Sequence, residues 1–293
     1  MSLLFDGKAF AQLKENKLRE EVAILSRKGI QLRVKTFVFT EDEGSRLYTR
    51  LKKAAAERIG IIYEPVEHSL SDSLERIVKE IEIASHDPSI TGVMVQKPAK
   101  SSWKNEKMEF SLWWGELTKA IDPAKDVDCL TDTNLHSIQS GEGIILPATV
   151  QAVVSILEEA KYKLHVSDED WEQKSVVILG RSDIVGKPLS WVLLGHHKRV
   201  DIFGKSDMPN TVRTYDIVIS AVGKEALVAG DMVPDGVVAI DVGAPKGDIE
   251  FESVEPRAAF LTPVPGGVGP VTVVSLMENV LEIYRRSHGR YSK

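Results

Sequence analysis

The chain has 293 residues, 43% of them hydrophobic and 27% charged, with a formal net charge of −6. That length and balance describe a globular protein large enough for two domains, and the acidic excess argues against a nucleic-acid-binding face, which is ordinarily basic. No apolar run approaches the ~18 residues of a membrane span, the N-terminus Met-Ser-Leu-Leu-Phe-Asp-Gly-Lys is charged too early for a secretory signal, and the single cysteine, Cys129, permits no intrachain disulfide, which fits a reducing cytoplasm.

In chain order, Leu32–Thr40 reads as a strand rich in Val, Phe and Thr. Ser45–Arg58 reads as a helix whose stripe is Leu47, Leu51, Ala54, Ala55 and Ile59. Ile61–Tyr63 is a short strand, Asp72–Ser85 a helix, and Ile90–Gln96 a strand that ends at Lys97-Pro98. This alternation predicts an α/β domain with a mostly parallel sheet. Periodicity weakens from Pro98 to Gly143, where Ser111–Ala120 is the helical candidate. Thr149–Ala160 reads as a helix linking the domains, and the polar stretch Lys163–Lys174 as a loop.

A second α/β unit follows. Its expected strands are Ser175–Leu179, Arg199–Phe203, Ile217–Ser220, Val237–Asp241 and Ala259–Leu261, nearly all apolar, as fits strands covered on both faces. Its expected helices are Gly186–Leu194 and Val271–Arg286. His196 and His197 fall in a polar turn and are expected at the surface; Trp113-Trp114 reads as core or interface rather than a stacking platform, and Cys129 as a buried or inert thiol.

Several motifs bear chemistry. Gly180-Arg181-Ser182 ends an apolar strand, and Gly186-Lys187-Pro188 opens a helix. Amides at such a junction, with the helix dipole behind them, suit a phosphate. The pattern differs from the common G-x-G-x-x-G fingerprint, but Gly223 and Gly243 also follow apolar strands, and glycines at several strand ends line the ligand crevice of open α/β sheets. At the end of the next strand, Lys205 with Arg181 favours NADP, whereas Asp201 and Asp207 keep NAD open. Tyr48 and Lys52 are one helical turn apart, so a phenol can orient an amine whose pKa apolar walls would lower; a solvated Tyr–Lys pair is the plain alternative. Asp126 and Asp128 alternate in Lys-Asp-Val-Asp, but no further ligands follow at metal spacing, so no metal site is expected. Finally, Thr262–Pro270 packs three glycines and three prolines into a side-chain-poor loop, suited to close backbone approach to a flat ligand or to a hinge.

Taken in order, these segments resemble the bifunctional methylenetetrahydrofolate dehydrogenase/methenyltetrahydrofolate cyclohydrolase family. Gly180–Pro188 and Pro265–Pro270 resemble its two signatures, Phe5-Asp6-Gly7-Lys8 its N-terminal segment, Ser45–Lys52 its S-x-x-Y-x-x-x-K helix, Val95–Pro98 its V-Q-L-P strand end, and Lys125–Asp128 its K-D-V-D. The resemblance implies an N-terminal α/β catalytic folate-binding domain (residues 1–148 with 271–293), a Rossmann-like dinucleotide-binding domain (149–270) and a cleft between them. It implies catalytic roles for Lys52, Tyr48, Gln96 and Asp128. Folate contacts would come from these four, from Val95 and Lys97, and from Pro265, Gly266, Gly267, Val268 and Gly269. Gly180, Arg181, Ser182, Lys205 and Ala244 would hold NADP, with NAD possible.

The implied reactions oxidise 5,10-methylenetetrahydrofolate to the methenyl form and hydrolyse that to 10-formyltetrahydrofolate. The implied setting is a cytoplasmic homodimer in one-carbon metabolism and purine biosynthesis, with tetrahydrofolate derivatives as partners and neither nucleic acid nor membrane. Departures occur at Cys129, where the family has Gly, at Pro147-Ala148-Thr149-Val150, at Ala99-Lys100 and at Gly204-Lys205-Ser206-Asp207. The altered residues around Asp128 and Pro147 leave open a dehydrogenase with weak or absent hydrolysis; a nucleotide-binding regulator without turnover is an alternative of another class, against which the retained Tyr48, Lys52, Gln96 and Asp128 argue.

Overall fold

A computed structural model describes residues 2–105 and 108–289. The chain runs β1 (Leu3–Leu4), α1 (Gly7–Arg27), β2 (Arg33–Phe39), α2 (Glu43–Ile59), β3 (Ile62–His68), α3 (Leu74–His86), β4 (Gly92–Val95), α4 (Phe110–Lys119) and α5 (Asp132–Gln139). It continues with α6 (Ala148–Lys163), α7 (Asp168–Glu172), β5 (Ser175–Leu179), α8 (Gly186–Leu193), β6 (Arg199–Phe203), β7 (Ile217–Ser220), β8 (Val237–Asp241), α9 (Phe251–Val254), β9 (Ala258–Leu261) and α10 (Val268–Ser287). The chain forms two compact units.

The first unit comprises, among the described residues, Leu13–Ser137, Gly143–Ala148 and residues 273–289. Its sheet is parallel, in the order β3-β2-β4. Central β2 carries Val34, Phe37, Val38 and Phe39, all buried. β3 extends beyond the three residues expected, to His68. Its Glu64, Pro65 and Glu67 hide it from an apolar search but suit an edge strand, where proline breaks no necessary ladder bond. α2 has Asp42 at its N-cap and ends on Gly60, whose φ of 96° is the left-handed conformation that closes a helix. Trp113 is core, as expected: its ring meets those of Phe39, Trp103 and Phe110.

The second unit holds residues 2–12, Ile138–Glu142 and Thr149–Thr272. Its sheet is parallel, in the order β1-β9-β8-β7-β5-β6. From β5 the chain goes out to β6 on one side and returns to β7 on the other, so the topology reverses at β5. That switch point is where open α/β sheets bind ligands. Residues 2–12 belong here rather than with the first domain because Leu3 and Leu4 pair with Phe260 and Leu261.

Other sequence expectations need correction. The polar stretch after α6 contains α7: Ser167 caps it by accepting from the Asp170 amide, and Trp171 anchors it, 4% exposed. His197 is half-buried; its ring lies beside Trp171, and Nδ1 is 3.2 Å from the Trp171 carbonyl. Helix α1 escaped the sequence reading because Leu13 and Ile24 face solvent and blur its stripe.

Candidate active site

In the first unit, α2 presents a lysine inward. Lys52 is 4% exposed. Its Nζ donates to Gln96 Oε1 at 2.8 Å and lies 3.5 Å from Met94 Sδ. Met94 lies on β4, and Gln96 follows that strand, fixed by its amide to the Phe37 carbonyl at 2.8 Å. Burial lowers the Lys52 pKa, because an ammonium loses its hydration there; the Asp128 carboxylate opposes that shift. Asp128 is pushed the other way, upward, by burial, with Lys52 and the Ala148 amide (2.9 Å from Oδ1) opposing. Tyr48, one turn before Lys52, is half-buried, and burial raises its phenol pKa.

The two acids of Lys-Asp-Val-Asp do different work. Asp126 is fully buried and accepts from the Leu130 and Thr131 amides, the Thr131 hydroxyl and the Asn134 side chain. It shapes the turn, leaving Asp128 as the acid beside the lysine. Val127 between them fills the space over Gly92, where a Cβ would lie 2.1 Å from Val127 Cγ1. Of the remaining expected folate contacts here, Val95 is buried in β4, so it can meet a ligand only through neighbouring atoms, while the Lys97 ammonium sits 5.0 Å from the Trp114 ring centre.

One residue the sequence reading passed over holds this region together. Asp42 accepts from the Ser45 amide and hydroxyl, and also from the Ala99 amide at 2.5 Å. It thus ties the start of α2 to the segment after Gln96. Asp-x-x-Ser at a helix start is a readable capping signal; the second tie to Ala99 is tertiary and has no local signature.

In the second unit, Gly180 ends β5 with φ 114°, and a Cβ there would lie 2.3 Å from the Ala221 carbonyl oxygen. A Cβ on Gly186 would lie 1.8 Å from the Gly180 carbonyl oxygen. The turn is therefore backbone packed on backbone. Ser182 Oγ accepts from the Val185 and Gly186 amides, so the first amides of α8 are not free, contrary to the sequence reading. Among the described residues, the amides of Ser182, Asp183 and Ile184 find no acceptor within the protein. That leaves donors for a phosphate, and the turn fits a dinucleotide. Arg181 donates to the Ile202 carbonyl at 3.0 Å and to Asp207 at 2.6 Å. Lys205 and Ala244 are exposed, at the ends of β6 and β8 respectively.

Opposite Gly180 at the switch point, the loop Ala221–Lys224 is held from beneath by Asp248. This buried carboxylate accepts from the Val222, Gly223 and Lys224 amides and from the Ser220 hydroxyl. Asp241 in turn accepts from the amides of Gly243, Asp248 and Ile249. Neither acid drew notice in the sequence. The Pro263–Gly269 loop stays in the second unit up to the start of α10: the Gly267 amide donates to the Pro263 carbonyl, and Gly266 has φ 108°. A Cβ on Gly7 would come within 1.9 Å of the Gly267 carbonyl oxygen, which explains the glycine of Phe-Asp-Gly-Lys.

A six-stranded parallel sheet with a glycine-built switch point, joined to an α/β unit that buries a lysine beside an acid, defines a two-domain dinucleotide-dependent enzyme class. The tetrahydrofolate dehydrogenase/cyclohydrolase catalytic domain matches residues 5–128, and the NAD(P)-binding domain of the same name matches residues 147–288. The bifunctional protein FolD of Lactobacillus acidophilus is 38% identical across 99% of this chain and 100% of its own length. A solved methylenetetrahydrofolate dehydrogenase-cyclohydrolase of Trypanosoma brucei, complexed with NADP cofactor and inhibitor, is 32% identical, with a TM-score of 0.86 over 98% of this chain and 99% of that one. The bifunctional FolD enzyme of Campylobacter jejuni superposes with a TM-score of 0.86 at 29% identity, over 98% of this chain and 100% of that one. The chain belongs to the tetrahydrofolate dehydrogenase/cyclohydrolase family.

Proposed function

We propose that the protein oxidises 5,10-methylenetetrahydrofolate to the 5,10-methenyl form with NAD(P)+ and hydrolyses the methenyl form to 10-formyltetrahydrofolate. The observation that carries this reading is Lys52, buried, held by Gln96 and coupled to Asp128. Family membership and the bifunctional relatives support both activities. Gly180, Arg181 and Ser182 are the proposed dinucleotide contacts, with Lys205 and Ala244 at the neighbouring strand ends. The chemistry the dinucleotide supplies when bound is acceptance of a hydride from the substrate's methylene carbon.

The hydrolytic half needs a group that takes a proton and returns it. Water adding to the methenyl carbon must lose a proton, and a neutral Lys52 accepts it. The ammonium so formed returns that proton to one folate nitrogen as its bond to the carbon breaks, while the hydroxyl left on the carbon loses its own proton to water and becomes the carbonyl oxygen of the formyl group on the other nitrogen. Burial, which favours the neutral amine, and Asp128, which favours the ammonium, pull the lysine in opposite directions, so it exchanges protons more readily than an ordinary surface lysine. Gln96 Oε1 accepts from Nζ in either state and keeps the amine oriented. Tyr48 offers a ring against the pterin, and Asp128 an acceptor for its N–H groups.

The test is Lys52→Met, with oxidation and hydrolysis assayed separately. Hydrolysis should fall by about 10²–10⁴-fold, the usual worth of a positioned acid–base group. Wild-type hydrolysis in the variant overturns the role. The proposed setting is a cytoplasmic homodimer feeding one-carbon units to purine biosynthesis.

A further inference from the structure

The end of β6 is built around an ion pair. Arg181 Nη2 lies 2.6 Å from Asp207 Oδ2 and also donates to the Ile202 carbonyl, while Asp207 Oδ1 accepts from the Gly204 amide at 2.7 Å. Gly204 is the floor beneath them: a Cβ there would lie 3.3 Å from Asp207 Oδ1 and 3.7 Å from Arg181 Nη1. Both partners remain partly open to solvent, Arg181 at 42% and Asp207 at 44%. The Arg181 hydrogen bond and the Gly204 amide hold the Asp207 carboxyl below its ordinary range, so it is ionised at neutral pH.

β5 and β6 open the strand–helix alternation of the nucleotide unit after its short β1, and the end of β6 is where such folds meet the adenosine ribose. A carboxylate there accepts from the 2′- and 3′-hydroxyls; an unengaged arginine there takes a 2′-phosphate. Here the arginine is already engaged by a carboxylate of the same chain. A 2′-phosphate would have to displace Asp207 from Arg181 and then tolerate the displaced negative charge beside it. Two free ribose hydroxyls need neither step.

We infer that Asp207 is the residue that sets cofactor choice in this protein, occupying Arg181 and selecting a ribose with a free 2′-hydroxyl, that is NAD+, over its 2′-phosphorylated counterpart. The inference rests on the dinucleotide reading above and deepens it. Lys205 in the same turn is exposed and carries a compact, well-hydrated charge rather than a planar fork. It weakens the discrimination without reversing it.

The test uses the whole protein and calorimetric binding of two fragments, 5′-AMP and adenosine 2′,5′-bisphosphate, beside NAD+ and NADP+. These fragments need neither folate nor turnover. In the wild type, the unphosphorylated member of each pair binds more tightly. Asp207→Asn keeps an oxygen for the Gly204 amide while removing the charge. It should swing both ratios toward the 2′-phosphorylated member by about tenfold, equivalent to about 1.4 kcal/mol. A melting temperature close to wild type separates this effect from misfolding. Arg181→Ala in the Asp207→Asn background should abolish the gain. Wild-type preference for the bisphosphate, or ratios that Asp207→Asn leaves unmoved, overturns the inference while leaving the dinucleotide reading intact. Failure of all four compounds to bind overturns both.

Discussion

At the scale of single residues, the molecule sets neighbouring acids and bases at odds. Burial depresses the Lys52 pKa, and the Asp128 carboxylate opposes it. Neutralising that acid removes the opposition, so the ammonium loses its support and the pKa falls further. If neutral Lys52 is the working base, hydrolysis rises with pH through this pKa, and Asp128→Asn moves the rising limb to lower pH. A kcat–pH profile of each protein checks the sign; a limb that stays put or moves upward contradicts the coupling. Cys129 shows the opposite use of burial. It is 1% exposed, and burial, with Asp126 and Asp128 nearby, pushes its thiol pKa far above the ordinary value, so it remains protonated and unreactive. Its φ of 53° lies in the left-handed region, which accounts for glycine at this place in the family pattern.

At the scale of elements, loops at strand ends are held by carboxylates placed under backbone amides. Asp42 does this for the start of α2 and for Ala99. Asp248 does it for the Ala221–Lys224 loop, gathering three amides and a hydroxyl within 3.2 Å. Removing such an acceptor strands several donors at once, which costs more than losing one exchangeable hydrogen bond. Asp248→Ala should therefore destabilise the protein by about 2–4 kcal/mol, among the larger single-site effects. It should also weaken dinucleotide binding, since the loop faces Gly180 across the switch point. Urea unfolding reads the first effect and calorimetry the second. A change under about 0.5 kcal/mol, the range of an ordinary surface substitution, contradicts the role.

At the scale of the whole molecule, these acids divide by sign. Asp42, and also Asp216, which lies just before β7 and accepts from the Ser175 amide and hydroxyl, are held below the ordinary carboxylate range: burial works against ionisation, but the Ala99 amide in one case and the Ser175 amide in the other, with further bonds, outweigh it. Their contribution is present above the unfolded pKa of about 4 and is lost as pH falls through the folded values. Asp126, Asp128 and Asp241 are raised, chiefly by burial. They bind protons in the fold before they do so in the unfolded chain, so their contribution has the opposite pH dependence: stability gains as pH falls toward that range. Urea midpoints should hold or rise slightly from neutrality down to about pH 5, then drop below about pH 4. A steady decline beginning near neutrality would show that the buried acids are not proton-accepting in the fold.

Much of this was legible in the chain, and the reasons differ by segment. Strands β5 to β9 were read at or within a residue of their observed ends, because strands covered by helices carry continuous apolar runs, whereas the two-residue β1 carries too short a run to be read. The Tyr48–Lys52 spacing and the Gly180–Gly186 turn were visible because helical spacing and glycine are local signals, although the stripe read for α2 was misplaced: Leu47 and Leu51 face solvent, and Thr49, Lys52, Ala55, Ala56 and Ile59 are buried. α1, the length of β3 and the short α7 were not, since their burial is set by packing rather than by pattern. Nor could sequence alone show that Arg181 is engaged by Asp207 or that Asp248 carries a loop, because each joins segments more than twenty residues apart.

The interlock of Gly180 and Gly186 bears on descent. A side chain at either position strikes main-chain oxygen, at 2.3 Å for Gly180 and 1.8 Å for Gly186, before any cofactor is considered. The glycines of this signature are thus held by the chain's own backbone. A descendant that had lost its dinucleotide would be obliged to keep them, while Arg181 and Asp207, which no such packing compels, would be free to drift. In a divergent relative, survival of the arginine–aspartate pair therefore reports on cofactor use more directly than survival of the glycines.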